Sequence, residues 1–440
     1  MKVVFSMKKL FFLLGLLLLS LQMQAEDSSK AWTLTSCIEY ALENNIDIRK
    51  SRLNLESAEL STQYARAQLY PNLSANISQG FTNNAFVKGS SAYTGSYGLS
   101  ASMNLYRGGI NWNNIRQQQL YEQSGAYNLE AAELDLKMSL FQVYMQLLYS
   151  AEAVDLYESM VAMSEYQCDR GERMLEAGSI SKADYAQLES QLASDKYQLV
   201  MANNSLRTMK MELRQLLEIT GFDDFNVATP EVDEVLVLRP LDDFQSIYYV
   251  ALNSLPDIKA CRADSMATAY ELKKARGGYF PTITLNADVA TGHNTASDYS
   301  FGDQLKYGLN EGVGLTISIP ILTNRENKNA VEQAKIEQRN AVLTIADTEK
   351  TLRTELETLY NNAVAAQSQY IAAKEQLKSL EISLELIEQQ YELGLKNTLE
   401  LLTEKNNYLQ AQQNLLEAKY DGVINVELLN LYQGKDLEIK

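Results

Sequence analysis

From Gly109 to Ala177 the chain runs 69 residues without a proline. Its apolar positions recur at alternating spacings of four and three: Leu136, Leu140, Val143, Leu147, Ser150, Val154, Tyr157 and Val161. Only Ser150 interrupts the series. A mean period of 3.5 keeps one seam on one side of a supercoiling helix, which is the coiled-coil pattern. At about 1.5 Å per residue such a helix reaches about 100 Å. Adding 216 to these positions gives a second seam, Leu352, Leu356, Leu359, Ala363, Ala366, Tyr370, Ala373 and Leu377. It continues through Leu380, Leu384, Ile387 and Tyr391, and Gly178 maps onto Gly394 under the same shift. An internal repeat overrides any count of domains from length.

Each half contains a different period as well. Leu73, Ala75 and Ile77 alternate with Ser74, Asn76 and Ser78; Leu99, Ala101, Met103 and Leu105 alternate with Ser100, Ser102 and Asn104. In the second half Ile283, Leu285, Ala287 and Val289 alternate with polar residues, as do Val313, Leu315, Ile317, Ile319 and Ile321. Period-two alternation predicts strands with one apolar and one polar face. Loops rich in Gly, Ser, Asn and Tyr fall at about 83–96 and 292–310. Helices at Thr33–Asn45 and on to about Leu69 precede the first strand, and Pro71 closes them. Ala41-Leu42, Asp47-Ile48 and Pro71 reappear 210 residues later, so six residues are inserted between there and the rods.

The predicted organisation is mainly α with a small β part, in two tandem repeats of a β-hairpin plus long antiparallel coiled-coil helices. The first repeat covers 26–219, with strands at about 72–82 and 97–106, a long helix at about 109–177 and a return helix at about 181–219. A linker follows at 220–243, carrying Pro230, Pro240 and the solvated pairs Asp223-Asp224 and Asp242-Asp243. The second repeat covers 244–432, with strands at about 282–291 and 311–321, a long helix at about 324–393 and a return helix at about 397–432. Residues 433–440 form a tail.

Met7-Lys8-Lys9, the 12-residue apolar run Leu10–Leu21 and Met23-Gln24-Ala25 describe a secretory signal peptide, 1–25, cleaved after Ala25. Its removal takes away three lysines, Lys2, Lys8 and Lys9, and no acids, moving the formal charge from −17 to −20. Such a balance argues against nucleic acid as a partner. Leu34-Thr35-Ser36-Cys37 resembles a lipoprotein box but lies well beyond the apolar run, inside the first helix. With Cys168 and Cys261 it makes an odd, scattered set without metal or disulfide spacing. The single histidine, His293, makes no metal cluster alone. There is no phosphate loop and no Gly-x-Gly-x-x-Gly after a strand. No enzyme and no cofactor are expected. Arg107-Gly108-Gly109 and Arg276-Gly277-Gly278 read as strand–helix junctions.

Strands of about 9–11 residues with apolar-out, polar-in alternation suit an outer-membrane barrel. A barrel in lipid must close, and four strands cannot close one, the smallest having about eight. Two chains would give eight strands and a plugged interior, three would give twelve and a lumen.

Gly178-Ser179-Ile180-Ser181-Lys182-Ala183-Asp184, its partner Gly394-Leu395-Lys396-Asn397-Thr398-Leu399-Glu400, and the strand starts Tyr70-Pro71 and Phe280-Pro281 resemble the TolC-like outer-membrane efflux proteins. The resemblance covers roughly 33–432. It implies a homotrimer in outer-membrane lipid, with a 12-stranded barrel on a periplasmic α-helical tunnel. It further implies an exit duct for small toxic molecules, driven by an inner-membrane pump through a periplasmic adaptor. The tips around Gly178, Ser179, Gly394 and Leu395 would meet the adaptor. Polar links that shut the tunnel end in this family fall on Asp184, Tyr391 and Lys396. Lysine stands where the family pattern has arginine, keeping the charge but losing the bidentate geometry. The acidic ring positions fall on Glu400 and Thr403, so one of two acids is kept. The first-turn placement of Asp184 and Glu400 also suits a plain capping role at the helix dipole. Two other functions stand beside it: a duct for type I protein or peptide secretion, which the sequence does not separate from efflux, and a trimeric coiled-coil structural surface protein, which predicts one long rod per chain where this sequence has paired antiparallel helices twice.

Overall fold

Two helices of equal length, α3 (Ile110–Glu176) and α9 (Glu326–Glu392), each 67 residues, form the frame of the protein. The computed structural model describes residues 31–83, 92–221, 225–435 and 437. The signal peptide, Asp223-Asp224, most of the first polar loop and half of the tail lie outside these residues. In chain order the elements are α1 (Leu34–Asn44), α2 (Ile46–Ala67), β1 (Asn72–Thr82), β2 (Ala92–Arg107), α3 and α4 (Lys182–Leu216). Then come α5 (Glu234–Val237), α6 (Phe244–Ser254), α7 (Pro256–Gly277), β3 (Thr282–Asn294), α8 (Phe301–Tyr307), β4 (Asn310–Ser318), α9 and α10 (Thr398–Tyr432).

The seams are buried as the 3.5-residue period requires. Leu136, Leu140, Leu147, Val154 and Val161 on α3, and Leu352, Leu356, Ala363, Ala366, Tyr370, Ala373, Leu384 and Tyr391 on α9, all lie inside. Ser150, the apparent break, is buried too, because its Oγ donates to the Gln146 carbonyl at 2.9 Å and leaves no unpaired hydroxyl. α4 packs back along α3, and α10 along α9. α4 and α10 are 35 residues each. Positive φ recurs at an offset of 216: Gly108 and Asn324, Gly109 and Arg325, Gly178 and Gly394, Glu218 and Gly434. The same left-handed bend therefore starts both rods and ends all four long helices, with glycine at five of the eight positions.

The main core lies midway along the rods. There α1 (Cys37, Ala41), α3 (Leu140, Phe141, Tyr144), the end of α4 (Leu213) and the end of α10 (Val423, Leu428) meet the segment at 227–237. What composition suggested was a linker is thus tied in: Val227 bridges Trp32, and the Tyr144 hydroxyl donates to the Ala228 carbonyl at 2.6 Å. Gln367 Nε2 donates to the Val237 and Arg239 carbonyls at 2.9 and 2.8 Å. Cys37 is fully buried in this core, and burial pushes its thiol up to about 12, far from the reactive thiolate range.

The four strands form one antiparallel sheet in the order β1-β2-β3-β4. The register puts Ile77 opposite Tyr97, Leu99 opposite Val289, and Leu285 opposite Leu315, so one face is apolar across all four strands. That face is bare: Ile77 is 74% exposed and Val313 81%. Three strand boundaries differ from the expected ones. β2 starts at Ala92 instead of about 97, since the ladder runs on through Gly95 opposite Gln79 and His293. β3 runs to Asn294, which places His293 in a strand, packed against Tyr93 and Phe301, instead of in a loop. β4 ends at Ser318, ahead of Pro320, which lacks the N–H that a ladder needs. The second polar loop also contains α8, capped by Ser300.

Gly108 has φ +57, and a Cβ there would stand 2.2 Å from the Gly277 carbonyl oxygen. Gly108→Ala is expected to destabilise by about 1–3 kcal/mol from backbone conformation alone, with the clash in addition. Gly314→Ala, in open space on the sheet, should leave the denaturation midpoint of the purified protein unchanged.

Candidate functional site

The end of the rods away from the sheet carries every residue singled out by sequence. α3 stops at Gly178 (φ +74) and α9 at Gly394 (φ +70), with nothing near the would-be Cβ of either. Ser179 N donates to the Met174 carbonyl and Leu395 N to the Gln390 carbonyl, closing both helices with six-to-one bonds that need a left-handed glycine. Both tips project freely, and the second is greasy: Leu393, Leu395 and Leu399 are all exposed.

The return helices start with matching capping boxes. The Asp184 amide donates to Ser181 Oγ at 3.1 Å, and Ser181 N donates to Asp184 Oδ2 at 3.1 Å. On α10 the Glu400 amide donates to Asn397 Oδ1 at 2.9 Å, and Asn397 N donates to Glu400 Oε2 at 3.1 Å. These donors hold both carboxyls below the usual carboxylate range: Asp184 through the Ser181 hydroxyl and amide, then the Thr398 hydroxyl; Glu400 through Lys396, then the Asn397 amide.

Within one chain, Thr398 meets one of the three link residues, its hydroxyl lying 3.4 Å from the Tyr391 hydroxyl. Lys396 turns instead to Glu400, one turn along its own hairpin. Thr403 is exposed, its hydroxyl bonded to the Leu399 carbonyl at 2.7 Å. Asp184 is thus bonded within its own cap, Tyr391 to Thr398, and Lys396 to Glu400, so a single chain does not bring the three link residues together.

Sequence reasoning missed a second group, about two turns further in. Lys405 on α10 is fully buried, with Nζ 2.9 Å from Asp195 Oδ2 on α4. The Ser164 hydroxyl of α3 touches both. Gln191 Nε2 donates to the other Asp195 oxygen at 2.8 Å, so the carboxylate is satisfied on both sides. Burial pulls the Lys405 ammonium below its ordinary value, while the bond and charge of Asp195 pull it back up. Nearby, Gln167 Nε2 donates to Glu388 at 3.3 Å, and Arg170 pairs with Glu392, both joining α3 to α9. Burial raises the Glu388 carboxyl. The signal was readable: Lys405 interrupts the apolar series Leu401, Tyr408, Ala411, and Asp195 interrupts Leu188, Leu192, Leu199, giving opposite charges on two seams. Among the described residues, no group of three or more His, Cys, Asp or Glu could hold a metal ion. None of the described helices is long and apolar enough to cross a membrane.

The sequence profile of the outer membrane efflux proteins matches residues 37–218 and 247–435. The chain belongs to the outer membrane efflux protein family. This efflux protein is 23% identical over 401 residues to the outer membrane efflux protein BepC of Brucella suis, covering 90% of this chain and 84% of the relative. It is 24% identical over 409 residues to the cation efflux system protein CusC of Escherichia coli O157:H7, covering 88% and 83%. Crystal structures of CusC superpose with a TM-score of 0.81 at 20% identity, covering 94% of this chain and 96% of that one. The efflux protein is accordingly an outer-membrane channel with a long helical periplasmic part, and the reading as a structural surface rod is set aside.

Two results are expected at this end of the molecule. Because folding depresses the Asp184 and Glu400 carboxyls, their capping stabilisation is complete above about pH 4 and is lost as pH falls through the lower folded values. Amide protection factors at 182–186 and 398–402, with the intrinsic pH dependence of exchange divided out, should therefore be high near neutrality and fall in acid, and Asp184→Asn should flatten that dependence at the first site. At the inner group, Lys405→Ala should cost about 3–5 kcal/mol by stranding Asp195, and Lys405→Met with Asp195→Leu should cost less. Denaturant unfolding of the three proteins measures the difference.

Proposed function

We propose that three copies of this chain close a 12-stranded barrel in the outer membrane, over a tunnel built from twelve long helices. The observation that carries this reading is the sheet: four strands, a bare apolar face, and two outer strands, β1 and β4, each with a neighbour on one side only. Lipid offers no hydrogen bonds, so such edges must pair with one another, β4 of one copy with β1 of the next. Three copies give twelve strands and a polar lumen lined by Ser, Asn, Thr and Gly of the inner face. The recurrence of positive φ at an offset of 216 residues supports a tandem duplication, by which three chains would present six similar hairpins around one axis.

The duct is passive and opens to the periplasm at the tips around Gly178, Ser179, Gly394 and Leu395. The exposed leucines of the second tip suit docking on a periplasmic adaptor, which links the duct to an inner-membrane pump. The cargo is small toxic molecules. At the tunnel end Asp184, Tyr391 and Lys396 form a latch, and three copies of Glu400 form an acidic ring near the axis, flanked by Thr403. Crowding of like charges in that ring works against the lowering seen in the single chain.

Light scattering of the detergent-purified oligomer, corrected for detergent, should return three times the mature chain; a two-chain mass would sink the trimer. In planar bilayers the wild type is expected to show small, cation-selective conductance. Glu400→Gln should lose selectivity, and Asp184→Asn with Lys396→Gln should raise conductance. Equal conductance in that last variant and the wild type would remove the latch.

A further inference from the structure

Near the tips, the two helical hairpins are held together by contacts of two kinds. On the tip side they touch water. The Arg170–Glu392 pair keeps 25% and 51% of its side chains exposed, and the nearby Asp184 is only half-buried. Such contacts exchange for water at little cost. On the inner side stands the Lys405–Asp195–Ser164 junction, with Lys405 at 0% and Asp195 at 3% exposure. Opening it would strand two charges without water, and that cost is large.

The apolar packing divides at the same place. A small cluster of Leu384, Tyr391 and Leu401, flanked by Met174, Ile387 and Tyr408, lies around the tip, while the main core begins far up the rods. Gln191 and Asn406, beside the junction, hydrogen-bond across the hairpins at 3.1 Å. The junction has no counterpart at the offset of 216. Lys405 corresponds to Glu189, Asp195 to Ala411 and Ser164 to Leu380. The junction therefore ties the two hairpins together on one side only, α10 to α4 and α3, and no second one lies at the matching places.

We propose that the Lys405–Asp195–Ser164 junction is the pivot of the periplasmic end: the last turns of α9 and the first of α10, Thr398–Glu404, swing as the gate, while α10 beyond Lys405 stays fixed to α3 and α4. The inference rests on the reading of the chain as a duct. Lys405 and Asp195 act here as positioning residues that touch no cargo. Their role is to set where the moving arm ends, and so how far its tip can travel. The groups facing Lys405 from each packed element are Asp195 and Gln191 on α4, Ser164 on α3 and Glu388 on α9.

Hydrogen exchange of the wild-type oligomer tests this without altering the junction. Amides at 398–404 should exchange at least an order of magnitude faster than those at 406–415, with the step at Lys405. In Lys405→Met with Asp195→Leu the step should move inward along α10 and resting bilayer conductance should rise several-fold. Reversing the pair, Lys405→Asp with Asp195→Lys, should move both back toward wild type. A merely structural pair would alter the unfolding midpoint but neither the place of the step nor the conductance. The pivot is overturned by uniform exchange along 398–415 in the wild type, or by an assembled double variant with wild-type step and conductance. A wild-type oligomer that never conducts would count against the duct instead, and the exchange step would still decide the pivot.

Discussion

Unpaired backbone is what this structure has to manage. In hydrocarbon every N–H and C=O must find a partner within protein, and a four-stranded sheet leaves two rows of them open, along β1 and along β4. Its bare apolar face makes lipid the natural surrounding; its open edges make a solitary chain untenable there. The remaining features follow from that requirement. In the proposed assembly copies of the chain complete the sheet, the helices leaving it run side by side without colliding, and each is stiff enough to hold its place over about 100 Å.

Stiffness comes from the seams, and the seams were the most legible part of the sequence. Leu136 through Val161 and Leu352 through Tyr391 could be placed from their spacing because a 3.5-residue period has one structural meaning over so many turns. Strands were legible in their alternation but not at their ends. β2 begins at Ala92 because Gly95 gives room for the His293 ring, a neighbour almost 200 residues away. Local composition at 92–96, with its Tyr, Gly and Ser, pointed to a loop.

The tip was legible only in part. The capping boxes at Ser181 and Asn397 are local and could be read from three-residue spacings. The Arg170–Glu392 pair, and Lys405 inside the bundle, depend on how two hairpins meet. A lysine is solvated in most helices, and only its place on an apolar stripe, opposite an aspartate on another, marks this one as different. No window along the chain holds both.

That buried pair also sorts the contacts in any ring of such chains. Lys405 and Asp195 are each consumed by the other inside one copy, so contacts between copies cannot use them. Glu189 and Ala411, which occupy the matching places, offer no substitute. In the proposed trimer the hairpins would therefore be bonded in couples, with a riveted joint inside each couple. A force that widened such a bore would be shared unequally, falling on the joints that lack a rivet.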